Sequence, residues 1–389
     1  MVVILFSRCI SYVNSNHPLL FDYLKQLDRS DLKLIDVNTE PNIDEWIEKA
    51  EILIYDASVH ESIRAWEAGI SVSRGYFHFI GLKEIPFYIK VTEKFINSKS
   101  TRLFWGSITD AHSMLDTLKV FERYGLSSNR FFDCLSGVIW FFNSEQLYID
   151  SNEPYQYIDG FLHLMKGVTK SREFVQKLDV EIELPHSVAL PVKPVIHQKK
   201  WDCTVPGIGY PTRKIATESA FNKGLSIPNL KFTEFAVGKM RGFIHKTRLF
   251  SPELSYQLNA IKMNYYTSRS KFSFVCGGPT KYFVLKFIEI PKNHSAMIAY
   301  KINNMHDYGF LEGENYLSAK PEDFGEVVLD NKNDIELQHK LTTAAFQNIS
   351  KLHTLSARAE QLISALNAMK NQSRIKAHFA NGSYRINNK

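Results

Sequence analysis

Residues 269–315, RSKFSFVCGGPTKYFVLKFIEIPKNHSAMIAYKINNMHDYGFLEGEN, carry the pattern that decides the fold. From Lys271 to Cys276 aromatic and β-branched residues alternate as in a buried strand, and Gly277-Gly278-Pro279 ends the run. Residues 283–291 then repeat at a helical period. Phe283, Phe287 and Ile290 fall on the inner side, while Lys286 and Glu289, three residues apart, share one face. Residues 295–300 read as the next strand. A cation and a carboxylate on one surface suit a nucleoside diphosphate. The lysine faces phosphate, and the carboxylate accepts two hydrogen bonds from ribose hydroxyls. A sugar-nucleotide enzyme is the leading expectation.

The run 286–296, KFIEIPKNHSA, also resembles the R-x-F-E-x-x-A-x-G segment in the donor domain of CgeB-like glycosyltransferases. Further pieces occur in that family's order: ELPHSV at 183–188, WDCTVPG at 201–207 followed by Tyr210 and Arg213, GFLEGEN at 309–315 and HTLSARA at 353–359. The likeness covers roughly the second half of the chain. It implies an α/β chain of GT-B architecture, with two Rossmann-like domains facing a cleft and a C-terminal helix crossing back. It also implies a nucleotide-sugar donor as co-substrate, with no separate cofactor, and work in bacterial surface glycan or polysaccharide synthesis on a glycan or lipid-linked acceptor. Lys286 stands where the family has arginine, and Asn293-His294 occupies a turn where glycine is common. A lysine offers a point charge in place of a bidentate fork.

A chain of 389 residues with 44% hydrophobic content has material for two cores, because one core rarely grows past ~250–300 residues. The net charge of +6 fits phosphorylated ligands or an anionic surface. The 47 basic residues are interspersed with 41 acidic ones and form no dominant block, which argues against nucleic acid. Cys9, Cys134, Cys203 and Cys276 are widely spaced, without a metal-ligand pattern, which suits a reducing, cytoplasmic setting. The opening apolar run reads as a strand and not a signal-peptide core. No window approaches the ~18 apolar residues of a bilayer span.

The first part of the chain alternates strand and helix: 2–6, 17–27, 32–37, 43–50 and 51–55, the order of a parallel sheet. Strands are expected at 77–79, 86–91, 102–105, 131–136 and 181–184, with a helix over 111–124. The Pro/Val-rich run at 190–195 divides an acceptor domain, 1–190, from a donor domain, 191–350. In the second part strands at 203–205 and 232–237 accompany helices at 212–223 and 252–263. Residues 351–370 form the crossing-back helix. The tail 371–389 holds Arg374, Lys376, Arg385 and Lys389 without an acid, and reads as loose and as a candidate contact for an anionic membrane at the inner leaflet.

The loop 206–213 joins a strand to a helix, so Gly207, Gly209 and the helix amino end offer a phosphate cradle, with Arg213 adding charge; the plainer reading is an ordinary turn. Lys286 and Glu289 complete the donor contacts, with a simple surface ion pair as their alternative. His294 is placed near the sugar or diphosphate, with a capping or solvated histidine as the plainer reading. Asp110, His112 and Asp56 follow strands and are candidate bases for an acceptor hydroxyl, against helix capping as the plainer role. No Asp-x-Asp, H-E-x-x-H or Walker lysine loop is present, so no metal is assigned. A sugar-nucleotide epimerase or hydrolase, and a non-catalytic scaffold of the same fold, are the alternatives.

Overall fold

The computed structural model describes residues 1–8, 16–67, 83–106, 121–141, 173–190, 196–207, 211–229, 235–240, 243, 252–277 and 283–389. The strand expected at 77–79, most of the helix at 111–124, Asp110, His112 and Gly209 lie outside them.

The chain begins β1 (Val2–Phe6), α1 (Asn16–Gln26), β2 (Leu32–Asp36), α2 (Ile43–Lys49), β3 (Ile52–Asp56) and α3 (Ala57–Glu67). It continues through α4 (Ile85–Asn97), β4 (Thr101–Gly106), α5 (Ser128–Asp133), β5 (Gly137–Trp140) and β6 (Val180–Glu183). Every residue of β1, β3, β5 and β6 is buried, as in a parallel sheet covered on both faces. Two expected strands are helical. Pro86 sits in the first turn of α4, where its missing N–H costs nothing, and Ile85, Tyr88, Ile89, Thr92, Phe95 and Ile96 recur at helical spacing and are buried. In 131–136 the aromatic richness that reads as strand serves helix packing: Phe131 of α5 inserts between Tyr55, Phe95, Phe104 and Phe121.

The second half contains β7 (Trp201–Thr204), α6 (Pro211–Asn222), α7 (Pro252–Ser268), β8 (Ser270–Cys276), α8 (Lys286–Lys292), β9 (Ala296–Tyr300) and β10 (Leu317–Ser318). It ends with α9 (Phe324–Asn331), α10 (Ile335–Leu352), α11 (Leu355–Asn371), β11 (Ile375–Ala380) and β12 (Ser383–Asn388). Residues 235–237, expected in a strand, belong to a helical run over 235–240. Strands β7, β8, β9 and β10 form a second parallel sheet in that order. Ala216 and Ala220 of α6 and Phe324 and Val328 of α9 pack on one side of it. Phe287, Ile288 and Ile290 of α8 join Met263 of α7 and Ile349 of α10 in the cluster on the other.

Helix α11 returns to the first sheet, where Ala359, Leu362, Ala365 and Leu366 meet Leu20, Phe21 and Leu24 of α1. The tail after it is ordered. β11 pairs in parallel with β6, and β12 closes an antiparallel hairpin on its outer side, giving the order β2-β1-β3-β4-β5-β6-β11-β12. Ile375, Ala377 and Phe379 point inward at a period of two. The hairpin loop is Asn381-Gly382, both at positive φ (49° and 67°), the geometry its sequence favours. The cations are partly engaged: Arg374 Nε lies 3.2 Å from Asp179, and Lys389 Nζ donates to the Val175 and Leu178 carbonyls.

Candidate functional site at the carboxyl edges of two sheets

In parallel α/β sheets ligands bind outside the carboxyl ends of the strands, where turns and helix amino ends collect. β7 delivers Val205, Pro206 and Gly207 to that edge. Gly207 has φ +108°, and a Cβ there would collide with the Arg213 guanidinium folded against it from α6. Arg213 is itself buried. Neighbouring β8 ends at Cys276, and α8 begins with Lys286 ion-paired to Glu289, both half-buried. Because β7 and β8 are adjacent and parallel, the Gly207–Arg213 turn lies beside the carboxyl end of β8, from which the chain runs on to Lys286.

His294 does not join them. It closes the turn between α8 and β9, at the amino edge of the strand, because a helix that crosses between parallel strands ends where the next strand starts. There its φ is +52°, its ring stacks on Phe346, and its carbonyl accepts from Lys199 Nζ at 2.5 Å. Lys199 precedes β7, which fixes the opposite end of the sheet. Burial draws its ammonium down to about 8.

At the carboxyl edge of the first sheet a buried polar lattice joins β1, β2 and β3. The Ser7 amide donates to Ser58 Oγ (2.8 Å), Asn38 Nδ2 and Ser62 Oγ both donate to Ser7 Oγ (2.8 Å), and Tyr88 Oη donates to Asn38 Oδ1 (2.5 Å). Asp56 sits inside this lattice, fully buried. Its Oδ1 accepts from the Ser58 amide (2.9 Å) and hydroxyl (2.5 Å), which makes it the cap of α3.

The two edges meet at a buried junction. Glu183, the last residue of β6, accepts a short hydrogen bond from Tyr308 Oη and another from the Phe379 amide at 2.9 Å. Tyr308 ends a 3-10 turn (Met305–Tyr308) that follows β9. Carboxyl ends from both sheets therefore converge here. Arg358 of α11 is fully buried beside them. Its Nη2 donates to the His186 carbonyl (2.9 Å) and to His353 Nδ1 (3.1 Å), and its Nη1 bonds Gln361. His353 Nε2 lies 3.0 Å from the Tyr308 carbonyl. The histidine is thus neutral, with its proton on Nε2 and its Nδ1 accepting. The chain after β6 is fastened to the α10–α11 break by Val188 N to His353 O (2.9 Å) and Leu355 N to Val188 O (3.2 Å). The Asn381-Gly382 tip hooks onto Asp307 through two backbone amides at 3.0 Å.

Burial dominates the junction's electrostatics. It raises the Glu183 carboxyl to about 7, although the hydrogen bonds from Tyr308 and Phe379 pull the other way. It lowers His353 to about 3, with the Arg358 charge adding to the effect, and lowers Arg358 to about 10. Segments 183–188, 309–315 and 353–359 carry the family resemblance, but nothing in their pattern gives Glu183, His353 or Arg358 a role. One signal was available: Arg358 stands on the same stripe of α11 as Leu355, Ala359, Leu362 and Leu366, a place where a charge requires buried partners.

No protein-family model matches the chain, and no curated protein matches it in sequence. Solved structures do match in fold. A DNA-modifying β-glucosyltransferase, solved in the presence and absence of uridine diphosphoglucose, shares 11% identity over 95% of this chain and 99% of its own, with a TM-score of 0.50. The chain has the GT-B fold. HepE of Anabaena in complex with UDP-glucose aligns at 9% identity over 94% of this chain and 99% of its own (TM-score 0.48). A glycosyltransferase of Rickettsia africae aligns at 11% over 95% and 99% (TM-score 0.46). Among the described residues there is no group of three or more His, Cys, Asp or Glu side chains placed to hold a metal.

Proposed function

We propose that the protein transfers a sugar from a nucleotide-activated donor to an acceptor hydroxyl. The observation that carries this reading is the convergence at Glu183 and Tyr308, where a carboxyl end of the first sheet meets the chain leaving the second; Gly207, Gly209, Arg213, Lys286 and Glu289 are the proposed donor contacts on one side of it and the Ser7–Asp56 lattice the proposed acceptor side. Donor and acceptor then lie on different sheets with the reaction between them. The GT-B fold shared with the β-glucosyltransferase supports the same assignment. A CgeB-like kinship, with a glycan or lipid-linked acceptor in bacterial surface glycan synthesis, is supported by two of the resembling segments, 183–188 and 353–359, meeting at one junction. Cationic and helix-dipole contacts to the leaving diphosphate provide for transfer without a dedicated metal.

Asp56 is occupied in capping α3, so the proposed base is Asp110 or His112. The assay is release of UDP from UDP-glucose, with EDTA or Mn²⁺ added, against a panel of glycan, lipid-linked and duplex DNA acceptors. Acceptor-dependent release that survives EDTA is expected, and substitution of the base at Asp110 or His112 removes turnover while donor affinity stays. Release of UDP and free glucose without any acceptor would favour a hydrolase. Binding without turnover for every acceptor would favour a scaffold.

Arg213→Ala and Lys286→Ala are expected to weaken UDP binding about tenfold or more while changing uridine binding little, since each removes a charge-assisted phosphate contact. Glu289→Ala should weaken both ligands alike, because its partner is the ribose. Calorimetric titration of the two ligands separates these outcomes. Equal losses for UDP and uridine in the Arg213 variant would mean that its contact with Gly207 is purely structural.

A further inference from the structure

The lattice at the carboxyl edge of the first sheet is closed to ligands, because Ser7, Asn38, Asp56, Ser58, Ser62 and Tyr88 are all buried. Its open side is formed by two residues that it holds in place, Asp36 and Arg8. Asp36, the last residue of β2, lies beside Phe6 of β1 and is half-buried. Its Oδ1 accepts from the Asn38 amide and Nδ2, both at 3.1 Å, and from the Arg8 amide at 3.3 Å. Asn38 is fixed in turn: its Nδ2 also reaches Ser7 Oγ, and its Oδ1 takes the Tyr88 hydroxyl. Among the described residues nothing bonds Asp36 Oδ2. Arg8 follows β1 with its side chain 45% exposed, and its Nη2 donates to Asp22 of α1 at 2.9 Å. Its other guanidinium N–H groups have no partner among the described residues. An anchored carboxylate with one free oxygen thus stands beside an oriented guanidinium.

We propose that Asp36 and Arg8 form a subsite for a vicinal diol of the acceptor, which makes that acceptor a carbohydrate. The inference rests on the sugar-transfer reading and deepens it. Oδ2 keeps two open lone-pair sites, one for each hydroxyl of the diol, and Arg8 supplies donors to a neighbouring hydroxyl or ring oxygen. The place in the fold agrees. In doubly wound sheets an acid beyond the first strand–turn–helix unit hydrogen-bonds a ribose hydroxyl, and Asp36 ends the strand that flanks β1. Here the diol comes from the acceptor's sugar and not from a nucleotide's ribose. A dinucleotide in that position sets its diphosphate against a glycine-rich turn after the first strand, whereas residues 7–15, SRCISYVNS, contain no glycine. A turn-capping role for Asp36 accounts for Oδ1 and leaves Oδ2 and Arg8 unused. Internal nucleotides of duplex DNA and simple lipid alcohols carry no vicinal diol, so the subsite selects a glycan or the sugar of a lipid-linked glycan.

The test is saturation-transfer NMR titration of the full chain with methyl glycosides of mannose, galactose, rhamnose and glucose, each beside its fully O-methylated form, and with uridine. Asp36→Asn keeps a carbonyl oxygen for the three N–H donors and replaces Oδ2 by an amide that cannot accept, so its melting temperature should match wild type. At least one glycoside is expected to bind wild type, about tenfold or more weakly to Asp36→Asn and severalfold more weakly to Arg8→Ala, while its O-methylated form does not bind. Uridine affinity should be the same in wild type and Asp36→Asn. In the transfer assay Asp36→Asn should raise the acceptor KM and keep the affinity for UDP. Glycoside binding that depends on Asp36, without turnover on any acceptor, would count against transfer and for the diol site. Equal glycoside affinity in wild type and folded Asp36→Asn, O-methylated forms that bind as well as their parents, or a panel in which no glycoside binds would each overturn the proposal. Loss of uridine in Asp36→Asn with glycosides spared would overturn it too, by placing a nucleotide's ribose there.

Discussion

Replacing Arg358 by alanine is expected to cost the folded protein about 3–5 kcal/mol, enough to lower its urea midpoint sharply. Three acceptors lose their donor at once: the His186 carbonyl, His353 Nδ1 and the Gln361 side chain. Each buried acceptor left unsatisfied costs about 1–3 kcal/mol. Glu183 also loses the nearby cation that favours its charged form. Arg358→Met keeps the stem packed, its end near the Phe379 ring that the guanidinium now faces at 5.3 Å, and leaves only the polar deficit. Adding Glu183→Gln to Arg358→Met removes the carboxyl, which on ionising above about pH 7 is left without its nearby cation. The double variant should therefore recover part of the loss, since a buried charge is most costly when its compensation has been removed. A folded Arg358→Ala protein within about 1 kcal/mol of wild type would show that the junction is not held by this side chain.

The same junction shows where sequence reading succeeds and where it stops. The alternation in the first sixty residues and in 271–300 carries the parallel strands β1–β3 of one sheet and β8–β9 of the other, because strand and helix periods differ and each buried face must follow its own. Helix α4 was open to misreading over a short window, where Ile-Pro-Phe-Tyr-Ile looks like a strand. Only the longer spacing through Phe95 and Ile96 shows the helix. The hairpin after α11 was legible too. Asn381-Gly382 between alternating residues is a strong short-range turn signal, and attention to the tail's charge hides it. His294 lies at the amino edge for a topological reason: proximity in sequence to Lys286 does not set which end of the strand a turn occupies. Glu183, Tyr308, His353 and Arg358 come from separate stretches of chain, and their meeting depends on how α11 and the hairpin return to β6. No local periodicity encodes that.

Protonation of the junction predicts two single variants with opposite pH profiles. Glu183 in the folded protein keeps its proton up to about 7, whereas the unfolded chain releases it near the ordinary 4.5. Its contribution to stability is full below 4.5 and is lost as the pH rises through 7. His353 behaves in the reverse sense: the unfolded chain protonates it below 6.5, but burial and Arg358 delay this to about 3 in the folded state. Its contribution is full above 6.5 and is lost on acidification. Each slope is about 1.4 kcal/mol per pH unit, so between pH 4.5 and 6.5 the two oppose and nearly cancel in the wild type. Glu183→Gln leaves the histidine slope alone, and this variant should lose about 3 kcal/mol relative to wild type as the pH falls across that window. His353→Asn leaves the carboxyl slope, and it should lose about as much as the pH rises across the same window. Any fixed cost of either substitution shifts the whole curve and leaves its slope unchanged. Urea unfolding at intervals from pH 4.5 to 8 measures both, each taken as a difference from wild type so that other carboxylates and histidines cancel. Parallel profiles for the two variants would place the buried proton somewhere other than on Glu183 and would remove the coupling between the two sheets' carboxyl edges and the protonation state of their junction.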